Sequence, residues 1–360
     1  MEATKLNSAA GMGDFGNLQK EDEAVWESAG VFDLSSRGRL CLAGGDRVRF
    51  LHGQVTNDVK GLRVGEGCYA ALITAKGKMQ SDLNVYCLPE ELLLDFEPGL
   101  TAIISQRLEK YVIADDVQII DVAGNYGLLT VQGPKSASVI RALGIGDGLP
   151  GKPFGFARIA ESAFGEIHLM NQPRLGTTGY DLLVPVDGIE RAKKELIVRA
   201  TAEGGCLSSL EAFEKARIEA GIPKFGADMD ETINPLEAGL EGRAISFNKG
   251  CYIGQEVISR IRTYSEVAKA LRGLRLADDL KCLPMKGDKL FHDGKEAGFV
   301  TSATTSPRLE AKVALGYVKR EVNQVGTELT LRTAEGEGRA RIVEIPFVRG
   351  LAESTSEKIQ

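Results

Sequence analysis

The stretch FNKGCYIGQEVISRIR, residues 247–262, sets one cysteine between a Lys-Gly pair and a tyrosine, just ahead of a helical pattern. Apolar residues recur at helical spacing after Gly254, which predicts a helix that begins near that residue. A thiol close to a helix N-terminus lies in positive potential, and Lys249 adds a nearby cation. Cys251 is therefore a reactive thiol, a metal ligand or a packed core residue, and burial is the commonest state of a free cysteine.

The composition is that of an ordinary globular protein. The chain has 360 residues, 43% hydrophobic and 26% charged, which is enough for two or three domains. Its 44 basic and 50 acidic residues leave a net charge of −6, so no general basic field attracts nucleic acid. No apolar run approaches the roughly 20 residues of a membrane span, and we expect a soluble protein. The six cysteines and three histidines are widely spaced, which favours reduced thiols over a zinc site or a disulfide framework.

Both ends of the chain are polar, and we expect residues 1–22 and 351–360 to be disordered. The N-terminal segment has neither an apolar signal core nor the Arg-rich character of a transit peptide. We expect an organelle matrix protein, of the chloroplast stroma or the mitochondrial matrix, whose transit peptide is absent from this chain. The bacterial cytoplasm is the alternative.

A strand–hairpin–helix unit occurs twice along the chain, which predicts an α+β fold with a duplicated module. We assign residues 23–145 and 235–265 to the first α+β domain and residues 146–234 to the second. Short strands with Gly- and Asp-containing turns follow and predict a C-terminal β-barrel at 266–350, with a β-sandwich as the alternative.

Two charged clusters are candidate binding surfaces. Four acidic side chains between residues 228 and 237 could ligate a hard cation, but their spacing favours capping or solvated roles. Five basic side chains between residues 260 and 275 would suit a polyglutamate tail or tRNA phosphates. A solvated face with extended side chains accounts for them equally well.

The octapeptide KGCYIGQE, residues 249–256, resembles the signature of the YgfZ family of folate-binding proteins that support iron–sulfur enzymes. The stretch RIEAGIPKFGADMDETINPLEAGL, residues 217–240, resembles the matching part of the related glycine-cleavage T-protein, a tetrahydrofolate-dependent aminomethyltransferase. The resemblance covers roughly residues 25–348. It implies a three-domain ring around a central channel that holds tetrahydrofolate. It also implies a role in assembly or repair of [4Fe–4S] clusters in client enzymes, including radical enzymes that modify tRNA.

The resemblance also implies site residues. The catalytic candidates are Cys251, Lys249 and Asp82. The candidates for cofactor binding are Tyr252, Gln255, Glu256, Asp82, Ser81, Arg260 and Arg262. Cys251 is the one candidate metal ligand, and because a cluster needs about four ligands, it would hold an iron–sulfur cluster only transiently and shared with a partner.

Two stretches depart from the T-protein pattern. In GKMQSDLNVY, residues 77–86, the relative has two adjacent acids, of which Asp82 remains and Ser81 replaces the other. One step along a strand reverses the side-chain direction, and we expect the missing acid to be the one that faces the channel. RLGTTGYDLLV, residues 174–184, lacks the glutamate of the relative's R-x-G-Y-T-G-E-D-G. Both departures favour a protein that binds folate without turning it over.

Two other functions are open. A one-carbon transferase would use Asp82 as acid or base, and a tRNA-binding module would use the basic side chains. For the favoured function the expected partners are a folate, iron–sulfur client or assembly proteins and enzymes of tRNA modification. We expect no membrane partner and a mostly monomeric protein.

Overall fold

The computed structural model describes residues 15–145, 148–264 and 266–348. Two β-sheets, a closed barrel and the helices around them make up this part of the chain. The helices are α1 Phe15–Glu27, α2 Arg47–Gln54, α3 Thr101–Glu109, α4 Ser136–Arg141, α5 Ile189–Ala202, α6 Leu210–Glu219, α7 Glu241–Ala244 and α8 Gln255–Tyr264.

The strands fall into three groups along the chain. Those up to residue 132 are β1 Gly30–Asp33, β2 Gly38–Ala43, β3 Gly67–Ile73, β4 Met79–Cys87, β5 Glu91–Phe96, β6 Gln118–Asp121 and β7 Tyr126–Gln132. The next are β8 Phe156–Ile159, β9 Ile167–Asn171, β10 Gly179–Pro185 and β11 Cys206–Leu207. The last are β12 Lys269–Leu276, β13 Lys289–His292, β14 Lys295–Ser306, β15 Ala311–Lys319, β16 Glu328–Thr333 and β17 Gly336–Val343.

The first sheet has five strands in the order β3-β4-β5-β2-β6. Strand β4 is covered on both faces, and its side chains alternate between them as a strand requires. Leu83 and Val85 enter the core beneath α2 and α3. Tyr86 enters a different core, which includes residues of the second sheet. Asp82 and Asn84 share this second face of β4, because they precede Tyr86 by even numbers of residues.

The second sheet has six strands in the order β11-β1-β7-β10-β9-β8. Its pairs are antiparallel except for β1 with β11, which is parallel. Helices α4 and α5 pack on one face, where apolar residues from both helices join a core with β7 and β10. The other face looks toward the first sheet, so that the two sheets enclose the core that contains Tyr86.

A buried ionic network also joins the two sheets. Arg174, in the loop before β10, bonds through Nη2 to Asp95 Oδ2 of β5 at 2.8 Å and to Asp181 Oδ2 of β10 at 2.6 Å. Arg37 Nε donates to Asp95 Oδ1 at 2.8 Å. Asn84 Nδ2 donates to Asp95 Oδ2 at 2.8 Å. Asp95 is buried and accepts hydrogen bonds from groups of both sheets. Because water is excluded there, removal of one ion would leave the charge of its partner uncompensated.

Strands β12 to β17 close into a barrel in the order β12-β15-β14-β13-β16-β17, which confirms the predicted C-terminal β-barrel and excludes the sandwich. Asp228, which is buried, fixes the barrel to the rest of the chain. It pairs with Arg217 of α6 and accepts hydrogen bonds from Thr301 and Ser302 of β14 at 2.5 and 2.7 Å. The Asp228 carboxylate is thus structural, and its buried ion pair is neither the capping nor the solvated role expected for most of the acidic side chains between residues 228 and 237.

The prediction that residues 1–22 are disordered is wrong for residues 15–22, which begin α1. The acidic residues there are buried by specific pairing. Glu21 accepts hydrogen bonds from the backbone and hydroxyl of Ser209 at 2.9 and 2.6 Å, and Asp22 pairs with Lys215 at 3.1 Å. Residues 1–14 and the predicted tail at 351–360 lie outside the described residues.

The predicted boundary between the two α+β domains stays a prediction. Strands β1 and β7 belong to the 23–145 segment assigned to the first domain. In the structure they hydrogen-bond into the sheet that contains β8, β9 and β10. The first segment therefore contributes two strands to the second sheet, and a division along the chain does not follow the sheets.

Replacing Arg174 with Met tests the ionic network. Asp95 and Asp181 would then be left buried with fewer partners, and we expect the free energy of unfolding to fall by about 3–5 kcal/mol. The measurement is urea denaturation followed by the fluorescence of Trp26, the single tryptophan.

The matched control is Arg158→Met, which removes an exposed pair with Glu166. We expect this variant to lose much less stability than Arg174→Met, since exposed pairs contribute little. If Arg174→Met lowered the free energy of unfolding as little as Arg158→Met does, the Arg174 network would contribute no more to stability than an exposed ion pair.

Candidate functional site

Asp82 lies at a cavity on the second face of β4. Tyr69 of β3 donates its hydroxyl hydrogen to Asp82 Oδ2 at 2.8 Å. The other carboxylate oxygen, Oδ1, is buried and has no hydrogen-bond partner among the described residues. A buried acceptor without a donor is costly in a protein, so a ligand that supplies an N–H group would complete the site.

The environment of Asp82 favours its neutral form. Burial is the main cause, and the negative charge of Glu97 adds to it. Together they raise the pKa of Asp82 to about 6, although the Tyr69 hydroxyl and the charge of Arg37 act in the opposite direction. A carboxyl group with such a pKa exchanges protons near neutral pH, as an acid–base catalyst must.

The Asp82 cavity has a volume of about 360 Å³, within the range of small-molecule sites. It lies between the two sheets and is reached by α6, by the loop after it and by α7. The residues around it include Arg37, Tyr69, Asp82, Glu97, Arg174, Arg217 and Arg243. Arg243 also lines two neighbouring cavities of about 660 and 740 Å³. The three cavities therefore share Arg243 as a lining residue.

The expectation that the acid facing the channel is lost is wrong. Asp82 lines the cavity, whereas Ser81 is fully buried on the opposite face of β4 and its hydroxyl donates to the Asp82 carbonyl at 3.0 Å. The serine has replaced the acid that would point into the core, where a hydroxyl is less costly than a charge. The sequence of residues 77–86 therefore gives no reason to exclude folate turnover.

Cys251 is exposed and lies in a loop that is tied to the C-terminal end of α2. Lys249 Nζ donates to the carbonyl oxygens of His52, Val55 and Asn57 at 2.5, 2.7 and 2.9 Å. On the other side of the cysteine, Ile253 N donates to Gly53 O at 3.2 Å. The loop is thus held at both ends, and the thiol between them is open to solvent rather than packed in a core.

Lys249 is buried, and the contacts described above use all three of its hydrogens. It caps the last carbonyls of α2, an interaction that is favourable at a helix C-terminus. Burial lowers the pKa of Lys249 to about 8. The Lys249 side chain holds its loop against the end of α2. Its predicted catalytic role stays a prediction.

The remaining predicted residues lie on or beside α8, which begins at Gln255 as expected. Arg262 reaches the largest of the three cavities, where it pairs with Glu241 at 2.9 Å and covers the ring of Phe247. The others are absent from the linings of the three cavities, and their contact with a cofactor stays a prediction; they are Tyr252, Gln255, Glu256 and Arg260.

The predicted basic surface is divided between two elements. Arg260 and Arg262 lie on α8, and the other basic residues lie on β12 of the barrel. Lys269 on that strand faces the rings of Phe299 and Tyr317, 5.1 and 5.3 Å from their centroids. Within the described ranges, no group of three or more His, Cys, Asp or Glu side chains could hold a metal ion. No helix in the same ranges is long and apolar enough to span a membrane.

Sequence reasoning missed Tyr69, Glu97 and Arg243. The hairpin register pairs Ala71 with Asp82 and Tyr69 with Asn84, so these four side chains share one face. The turn at residues 76–77 was predicted, and counting outward from it would have placed Tyr69 beside Asp82. Glu97 and Arg243 reach the cavity only through tertiary packing.

Comparison with known proteins agrees with this architecture. The GCVT N-terminal domain family matches residues 12–249, and the glycine cleavage T-protein C-terminal barrel domain family matches residues 269–349. This chain belongs to the glycine cleavage T-protein family. The predicted relationship to the T-protein is confirmed, and its assignment to the YgfZ type stays a prediction.

Individual relatives of this T-protein family member span nearly all of it. "Putative transferase At1g60990, chloroplastic" of Arabidopsis thaliana is 32% identical over 93% of this chain and 74% of its own length. The aminomethyltransferase of Bacillus subtilis (strain 168) is 30% identical over 93% of this chain and 92% of its own. The crystal structure of glycine cleavage system aminomethyltransferase T from Bartonella henselae has a TM-score of 0.82 and 22% identity, covering 92% and 90% of the two chains. The predicted α+β T-protein fold is therefore confirmed.

Replacing Asp82 with Asn tests the electrostatics of this T-protein cavity. Because the pKa of Asp82 is raised, the protonated acid stabilises the fold below pH 4, and this contribution is lost as the pH rises through 6. Each pKa unit is worth about 1.4 kcal/mol, so the amide should raise the free energy of unfolding at pH 8 by up to about 3 kcal/mol. At pH 3.5 we expect no gain.

The control is Asp187→Asn, at an exposed position outside the cavity. Its free energy of unfolding should change equally at both pH values, measured by urea denaturation. If Asp82→Asn behaved in the same way, Asp82 would be an ordinary ionised carboxylate.

Proposed function

We propose that this protein binds a reduced folate in the Asp82 cavity and supports the assembly or repair of [4Fe–4S] clusters in client enzymes through the Cys251 thiol. Two observations support the proposal together: the Asp82 cavity has the size of a small-molecule site, and elsewhere in the molecule Cys251 is exposed in a loop fixed at both ends. A packed, inert cysteine would not need such a loop. The K-G-C-Y-I-G-Q-E resemblance directs the choice toward iron–sulfur enzymes.

The residues of the cavity fit a folate. The ring edge of a pterin presents N–H groups, and Asp82 Oδ1 is a buried acceptor that lacks a donor. Tyr69 holds the second oxygen of the same carboxylate and fixes its orientation. Phe154 and Phe213 supply apolar surface to the lining. When bound, tetrahydrofolate would supply ring nitrogens that carry a one-carbon unit.

A resident iron–sulfur cluster does not fit this chain. Cys251 supplies a single thiolate, and a cluster requires about four ligands. The cluster is therefore the cargo or the substrate of a partner, and Cys251 acts on it as a transient ligand or as a redox thiol. The partners of this proposal are iron–sulfur client and assembly proteins, including radical enzymes of tRNA modification. We infer an organelle matrix location, which the chloroplastic name of the Arabidopsis relative supports.

Replacing Cys251 with Ala tests the thiol. We expect cells that carry this variant in place of the wild-type protein to lose most of their [4Fe–4S] enzyme activity, because the thiol is the group that contacts the cluster. Binding of tetrahydrofolate to the purified variant should stay within about twofold of wild type, a difference of less than 1 kcal/mol, since the thiol is outside the cavity lining.

The matched control is Cys282→Ala, at a second exposed cysteine on the barrel side of the molecule. Cells with this variant should retain their [4Fe–4S] enzyme activity. Full activity in the Cys251→Ala cells, with the protein folded, would remove the thiol from the proposal.

A second function is favoured by one observation, the position of Asp82 at the cavity with a pKa of about 6. A tetrahydrofolate-dependent aminomethyltransferase needs a proton donor or acceptor at that place. In this function Asp82→Asn would abolish product formation from an aminomethyl donor and tetrahydrofolate, and Cys251→Ala would have no effect. An absence of turnover in the wild-type protein would exclude this alternative and leave the first.

A further inference from the structure

The cations around the Asp82 cavity differ in whether they are neutralised. Five basic side chains line it within the described ranges. Four of these have carboxylate partners: Arg37 with Asp95 and Glu97, Arg174 with Asp95 and Asp181, Arg217 with Asp228 and Glu214, and Lys224 with Glu214. These pairs hold the fold together, and their charge is not available to a ligand.

Arg243 is the fifth, and it has no carboxylate within ion-pairing distance in the described part of the chain. Its guanidinium group lies 5.5 Å from the centroid of the Tyr69 ring. The side chain is exposed, so it keeps its hydration until a ligand arrives. The backbone beneath it is fixed, because the next residue accepts a hydrogen bond from Thr56 Oγ1 at 2.6 Å.

The position of Arg243 is as informative as its charge. It lines the Asp82 cavity and both neighbouring cavities, so its side chain can contact a ligand in any of the three. Tyr69 connects it to the acid, since the ring faces Arg243 and the hydroxyl donates to Asp82. The Tyr69 side chain therefore separates the carboxyl group of Asp82, whose pKa is raised, from the unpaired guanidinium group of Arg243. A ligand that contacts both residues would donate a hydrogen bond to Asp82 at one end and carry a negative charge at the end that meets Arg243.

We propose that Arg243 binds a carboxylate of the ligand whose ring lies against Asp82, so that the site selects pteroylglutamates over uncharged pterins. This inference rests on the proposed folate site and names the residue that sets its specificity. A guanidinium group presents two parallel N–H donors that match a carboxylate, which a lysine cannot reproduce. In a protein with a net charge of −6, an unpaired arginine in the lining of the Asp82 cavity is suited to this task.

The test compares two probes on the purified full chain by isothermal titration calorimetry. Tetrahydrofolate carries the glutamate carboxylates, and 6-methyltetrahydropterin has the same reduced ring without them. For Arg243→Gln we expect tetrahydrofolate affinity to fall roughly ten- to hundredfold, the effect of losing a charged hydrogen bond of about 1.5–3 kcal/mol. The affinity for 6-methyltetrahydropterin should not change. Arg243→Lys should recover only part of the lost affinity.

Two control variants separate the possible failures. Arg191→Gln makes the same charge change at an exposed position on α5 and should leave both affinities unchanged. Asp82→Asn should weaken both probes, because both present the ring edge. Equal affinity of wild type and Arg243→Gln for tetrahydrofolate would overturn the role of Arg243. If neither probe bound to the wild-type protein, the folate site itself would be refuted.

Discussion

Asp95 accepts hydrogen bonds from two guanidinium groups inside the protein, and the arrangement of the whole cavity depends on this interaction. Arg37 approaches one carboxylate oxygen, and Arg174 approaches the other. Burial alone would raise the pKa of Asp95, but the charges of the two arginines outweigh it and hold the pKa well below its usual range. Because Arg174 also pairs with Asp181 of the other sheet, the network fixes the distance and orientation of the two sheets across the cavity.

The same network determines which charges remain for chemistry. Arg37 and Arg174 line the Asp82 cavity, yet their hydrogen bonds go to Asp95, Glu97 and Asp181. Among the described residues, Asp82 is therefore left without an ion pair, and burial raises its pKa to about 6. An unpaired arginine in direct contact with Asp82 would lower its pKa and remove its capacity to exchange protons near pH 6, whereas Arg243 is separated from Asp82 by Tyr69. Glu97 acts on both the scaffold and the acid, because it pairs with Arg37 and its negative charge raises the pKa of Asp82.

Sequence patterns predicted the elements whose signal is local. The barrel strands, the start of α8 and the T-protein relationship came from turn residues, helical spacing and two motifs. The face of β4 that meets the cavity was predicted incorrectly, because both faces of this strand are covered and alternation alone does not say which cover is a cavity. Arg174 and Asp95 are 79 residues apart in the chain, and no local pattern marks such a pair. Residues 15–22 of α1 were assigned to a disordered segment because their acidic residues find partners only in the folded protein.

The exposed thiol and the buried acid lie in different parts of the molecule, linked by the segment that contains α7 and the loop up to Cys251. Arg37 and Arg174 serve the scaffold, and Asp82 is left without an ion pair in the described part of the chain and with a raised pKa. The most direct test of this raised pKa is carbon-13 NMR of protein labelled in the aspartate carboxyl groups, with the Asp82 signal assigned from Asp82→Asn. We expect a titration midpoint near pH 6. A midpoint at or below about 4, the value of an ordinary aspartate, would contradict it.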